Sequence, residues 1–117
     1  MATLHNAELS LAGKTPTAPP SWVNAELTTM NSSIVLHSGG GELVGSWHSQ
    51  DSDEVLVVLA GVLEVDTEEG PITVTAGSLI HIKEGEPHRV CTEPGTTLLA
   101  FESVGAKRTT LDGPSRA

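Results

Sequence analysis

No tyrosine and a single phenylalanine occur in the chain, and two tryptophans complete its aromatics. The core must therefore come from Val, Leu, Ile and Ala, and the β-branched residues among them point to sheet. One cysteine, Cys91, excludes an internal disulfide and a cysteine-rich zinc module. A lone thiol suits a reducing compartment, and a cytoplasmic location is expected. Positive charge is also scarce, with six Lys and Arg against fifteen Asp and Glu for a net −9. No basic stripe is available to neutralise phosphates, so nucleic acid is not an expected partner. No apolar run approaches the roughly 20 residues that span a bilayer, and residues 1–14 lack the charged and apolar regions of a signal peptide. A membrane partner is not expected either.

What is present is one domain's worth of chain, 117 residues. Residues 1–20 end in TPTAPP, whose prolines favour an extended arm. Short strands are predicted at 22–27, 33–38, 42–48, 54–60, 62–66, 71–75, 78–82, 88–92 and 96–102. Turn residues separate them, among them Gly39-Gly40-Gly41, Gly61, Ala76-Gly77 and Glu93-Pro94-Gly95. Such spacing predicts an all-β sandwich or barrel over 21–104, with 105–117 as a flexible tail. The strand at 54–60 is apolar on both faces. Leu56 and Val58 share the face of Glu54, whereas Val55, Val57 and Leu59 form a second apolar face that needs covering. A homodimer contact is the expected cover.

The chemistry centres on WHSQDSDEVLVVLAG, residues 47–61, and on GEPH, residues 85–88. His48 and Gln50 are two apart and leave the same face of a strand. Glu54 and His88 each open an apolar strand. Either histidine alone would be an ordinary polar residue at a strand end, and Glu54 alone a solvated charge. Together, two imidazoles, an amide oxygen and a carboxylate make a site for a divalent metal ion. Glu54 heads the most apolar strand, where a cation would offset the cost of an unpaired carboxylate. Glu102 and His81 are further candidates for acid–base work, each with a plainer alternative as a surface carboxylate or a wall residue. His37 and His5 are weaker candidates. Arg89 should point away from His88, Cys91 reads as a small buried hydrophobe, and Trp47 should pack outside the barrel. Leu56, Val58, Val90 and Leu99 are the expected pocket walls, chemically generic and suited to a small molecule.

These residues resemble the cupins. The family's first motif runs glycine, His-x-His, a short gap, glutamate, six residues and glycine; here Gly41 or Gly45, His48-Ser49-Gln50, Glu54 and Gly61 stand in that order. The second motif is matched by Ala76-Gly77 and by Gly85-Glu86-Pro87-His88. More narrowly, the chain looks like the small single-domain bacterial cupins whose strand reads WHSH…DE. The resemblance covers about residues 20–104 and implies a double-stranded β-helix, a small jelly-roll-like barrel. It departs at Gln50, where the second histidine is usual, and at Ala76 and Lys83, where prolines are common. An amide is a weaker ligand than imidazole, so Gln50 is either a ligand or a neighbour that reaches the metal through water.

A metal held by His48, Glu54 and His88, with or without Gln50 as a fourth ligand, keeps positions open. Fe(II) is the favoured ion, because open positions let O₂ and substrate bind together and make a dioxygenase. Zn²⁺, Mn²⁺ or Ni²⁺ would act as Lewis acids in an isomerase, cyclase or lyase. The alternatives are a non-catalytic module for a small ligand, and a barrel whose metal site has decayed at Gln50.

Overall fold

The computed structural model describes residues 2–6 and 22–113. Residues 2–6 are exposed and irregular; the rest of the expected arm lies outside the described residues. The elements are β1 (Val23–Met30), β2 (Ser33–Gly39), β3 (Leu43–Val44), β4 (His48–Gln50), β5 (Glu54–Ala60), β6 (Val62–Thr67), β7 (Gly70–Thr75), β8 (Leu79–Ile82), β9 (His88–Thr92), β10 (Thr97–Ser103) and β11 (Arg108–Thr110). Among the described residues there is no helix, and so none long and apolar enough to cross a membrane. The expected all-β class is what the chain adopts.

Two antiparallel sheets face each other. One runs β1-β2-β10-β5-β8, the other β11-β4-β9-β6-β7, with β3 also against β9. Strand alternation divides the side chains. On β5, Glu54, Leu56 and Val58 are buried toward the opposite sheet, while Val55, Val57 and Leu59 face out. Leu56, Val58, Leu63, Val65, Val74, Ile82, Leu98 and Ala100 form the inter-sheet core with Trp22. On the outside, Leu59, Leu79 and Phe101 are 45%, 60% and 37% exposed. Leu79 is the register partner of Val57 and Phe101 that of Val55, so these side chains make one apolar face.

Two glycines are required by close approach. Gly45 donates its backbone N–H to Val90 O at 2.9 Å, and a Cβ there would stand 2.6 Å from that oxygen. Residues 45–47 fall outside the strands here, so the single strand expected over 42–48 divides into β3 and β4. Gly61 takes a positive φ of 79° between β5 and β6, and a Cβ would stand 2.6 Å from Thr96 Cα. Thr96 is fully buried, accepts from Val62 N–H at 3.1 Å and donates to Val62 O at 3.0 Å. It clamps the turn from the residue before β10, the neighbour of β5.

The C-terminal stretch corrects an expectation. Residues 105–117 read as a flexible tail, yet Arg108–Thr110 returns as β11 and pairs with β4. Asp51 fixes the return, because its side chain accepts from Lys107 N–H at 2.7 Å and its own N–H donates to Lys107 O at 3.1 Å. Leu111 N–H reaches Trp47 O at 2.8 Å beyond it.

Candidate functional site

Three cross-strand pairs build the site. His48 on β4 is the register partner of His88 on β9. Glu54 on β5 is the partner of Glu102 on β10, in the facing sheet. Gln50 on β4 is the partner of Arg108 on β11. Directly opposed residues of antiparallel strands present side chains to the same face, so the two sheets aim imidazoles and carboxylates into the space between them.

That space is a cavity of about 220 Å³, lined by His48, Gln50, Glu54, Glu102 and Arg108 with Asn24 and Ser38 as further polar wall. Leu36, Leu43, Leu56, Val90, Leu98, Ala100 and Trp22 supply the apolar wall. Of the expected walls, Leu56 and Val90 are in place. Val58 shares the inward face of Leu56 but is wholly buried in the core, and Leu99 lies on the outer face opposite Val57, as its strand parity dictates.

Both imidazoles are held in one tautomer. His48 Nδ1 lies 2.9 Å from Ser46 O and His88 Nδ1 lies 2.8 Å from Glu86 O. A carbonyl only accepts, so each Nδ1 carries the proton and each Nε2 keeps its lone pair. Burial favours the neutral rings. It takes the His48 pKa down to about 4, with Arg108 and His88 adding to the effect against the Ser46 bond, and it lowers that of His88. The rings are close, with centroids 4.2 Å apart.

The carboxylates face the opposite pressure. Burial, and then the charge of Glu102, pushes the Glu54 pKa up to about 7. Burial also raises that of Glu102, against the bond from Gln50. Gln50 Nε2 donates to Glu102 Oε2 at 3.2 Å. Turning its nitrogen to the carboxylates leaves Gln50 Oε1 buried without a hydrogen-bond partner, and His88 Nε2 is in the same state. His88 Nε2 and Glu54 Oε1 stand 4.0 Å apart, too long for a hydrogen bond.

The donor set fits a divalent cation: two neutral imidazole lone pairs, an amide oxygen, a buried carboxylate, and two orphaned acceptor atoms among them. Among the described residues, though, no three His, Cys, Asp or Glu side chains form a ready-made metal-holding group. His88 is nearly inaccessible at 1% exposure and does not line the cavity.

His81 is a correction. It is the register partner of outward-facing Val55, and its Nε2 lies 2.8 Å from Asp53 Oδ2 on the exposed side of β8. Asp53 also accepts from Glu84 N–H, and these bonds hold its carboxyl below the usual range. His81 is a surface latch, away from the cavity. Arg89 points outward, bonded to Asp66 at 2.7 Å and lying over the Trp47 ring at 5.7 Å. Arg108 is the cavity-lining residue that the sequence hid. Ala106-Lys107-Arg108-Thr109-Thr110 carries no polar–apolar alternation to mark a strand.

A family profile described as "Cupin domain" matches residues 34–102. No curated protein matches the chain by sequence. Among solved structures, a cupin-2 domain containing protein from Shewanella frigidimarina is 27% identical, over 70% of this chain and 80% of that one, with a TM-score of 0.62. A candidate mannose-6-phosphate isomerase from Ralstonia eutropha is 19% identical, over 87% and 98%, with a TM-score of 0.69. Salicylate 1,2-dioxygenase from Pseudoaminobacter salicylatoxidans is 11% identical over 85% of this chain and 31% of that one, with a TM-score of 0.71.

Proposed function

The chain belongs to the cupin family, and on that premise we propose that it is a metal-dependent enzyme acting on a small polar metabolite. Cupin domains often bind a metal ion. Two buried acceptor atoms, His88 Nε2 and Gln50 Oε1, carry the reading. Leaving such an atom unpaired costs about 1–3 kcal/mol, and a cation held with Glu54 satisfies both. His48, His88 and Glu54 would hold it, with Gln50 Oε1 as the fourth donor. Backbone bonds to Ser46 O and Glu86 O orient the two rings.

A bound divalent ion would supply Lewis acidity, or, as Fe(II), the capacity to bring O₂ and substrate together. The protein's own groups do the rest. Glu102 lines the cavity, is not needed as a ligand, and is kept by Gln50 Nε2 in position to accept or return a proton. Leu36, Leu56, Val90 and Leu98 exclude water from one side. Isomerase and dioxygenase chemistry both occur in the names of structural neighbours, and oxygen uptake after anaerobic loading with Fe(II) separates them.

One observation favours a second reading. Gln50 already serves Glu102, which suits a ligand-binding barrel without catalysis, or a decayed metal site. Elemental analysis decides. Near-stoichiometric metal, lost in His48→Ala and His88→Ala, supports the enzyme reading; no metal in wild type or variants sinks it. The free thiol of Cys91 fits a reducing cytoplasm, where we place the protein. A second copy of the chain is our assignment for the cover of the outer face at Val57, Leu59, Leu79 and Phe101.

A further inference from the structure

At the rim of the cavity stands an exposed cation that forms no ion pair with a described residue. Arg108 lines the cavity beside Gln50, Glu54 and Glu102, aimed there by its register with Gln50. The ion pairs among the described residues are His81–Asp53, His88–Glu54 and Arg89–Asp66. The contrast with Arg89 is direct: that half-buried guanidinium has its own acid. Arg108 has no such contact, and its charge acts on Glu54 and Glu102 only across the cavity. Two carboxylates share its cavity, yet Gln50 takes the hydrogen bond of Glu102 and the guanidinium fork stays open.

We propose that Arg108 recognises the carboxylate of a small organic acid whose apolar body rests on Leu36, Leu56, Val90 and Leu98. This rests on reading the cavity as the substrate site, and it names the substrate class. The planar fork of a guanidinium matches a carboxylate with two parallel hydrogen bonds. A phosphate dianion fits less well, because a single guanidinium must then offset two charges beside Glu54 and Glu102. Size agrees: about 220 Å³ is below the roughly 300–1,000 Å³ of pockets for drug-sized ligands. Apolar wall on one side and one cation at the rim describe a compact monocarboxylate.

The test is a titration followed by NMR chemical shifts, with isovalerate against isovaleramide, benzoate against benzamide, and inorganic phosphate. The full chain is used as purified, and its metal content is measured on the same samples. Each acid is expected to bind at least about tenfold more tightly than its amide, with shifts at Gly45, Gln50 and Val90. Arg108→Gln should abolish that preference and Arg108→Lys should keep part of it. Lys107→Gln, the same loss of charge one residue away, should leave it intact. Equal binding of acid and amide, or none by either, would overturn the proposal. So would a preference that survives Arg108→Gln, or phosphate binding as tightly as the acids. Metal content is read separately, so an acid preference in metal-free protein would sink the metalloenzyme reading and spare this one.

Discussion

Glu54→Gln should stabilise the metal-free protein strongly at alkaline pH and only slightly at pH 5. Burial and the neighbouring Glu102 raise the Glu54 carboxyl from 4.5 to about 7 in the folded chain. Each pH unit of displacement is worth about 1.4 kcal/mol, so the folded state loses about 3 kcal/mol as this group is forced to ionise. A raised carboxyl binds its proton more tightly folded than unfolded. The stability it retains is whole below pH 4.5 and is lost as the pH climbs through 7. Glutamine has the same shape and no proton to lose. His48 acts with the opposite sign: its pKa is lowered from 6.5 to about 4, so its contribution is present above 6.5 and is lost as the pH falls toward 4. Both proteins share that slope, and it cancels in the difference. Urea unfolding in EDTA at pH 5, 6, 7 and 8, followed by tryptophan fluorescence, gives the curve. The variant should gain from about 1 kcal/mol at pH 5 to about 3 kcal/mol at pH 8. A difference that is flat across this range would refute the burial argument. Saturating divalent metal should reverse the order at pH 8, because only the wild type gives the ion a carboxylate.

Gln50→His should tighten metal binding, read as a lower dissociation constant by competition with a chelator; unchanged affinity would place Gln50 outside the ligand set. Gly61→Ala should cost at least about 2 kcal/mol in a denaturant melt, since the left-handed backbone and the Thr96 contact both penalise a Cβ. Leu79→Asp should convert a dimer to a monomer in light scattering without changing the circular dichroism, because Leu79 is 60% exposed on the outer apolar face. A wild type that scatters as a monomer at micromolar concentration would remove the dimer assignment.

Motif register carried most of the site. Spacing alone relates His48 to Gln50, and the apolar runs behind Glu54 and His88 mark both as strand openings. No spacing rule, however, says that β5 lies beside β10 and so sets Glu54 against Glu102. His81 was ambiguous because parity within a strand gives two faces and no sign; the pairing of β8 with outward-facing Val55 supplies the sign. Val58 and Leu99 failed as walls for related reasons, one lying too deep and the other on the far face. Arg108 was hidden by composition. A segment with three basic residues and little apolar content reads as solvated, and what folds it back is the backbone clasp between Asp51 and Lys107, which no local pattern announces.

That clasp separates two kinds of change open to the protein. The match to the cupin domain stops at residue 102, and β11 begins at Arg108. The groups that would hold metal lie within the matched stretch, whereas the charge that would read the ligand arrives on a three-residue strand beyond it. Moving β11 by one residue along β4 would put Lys107 or Thr109 opposite Gln50 in place of Arg108. The cavity would then present a different partner with the scaffold, core and ligand-holding residues untouched.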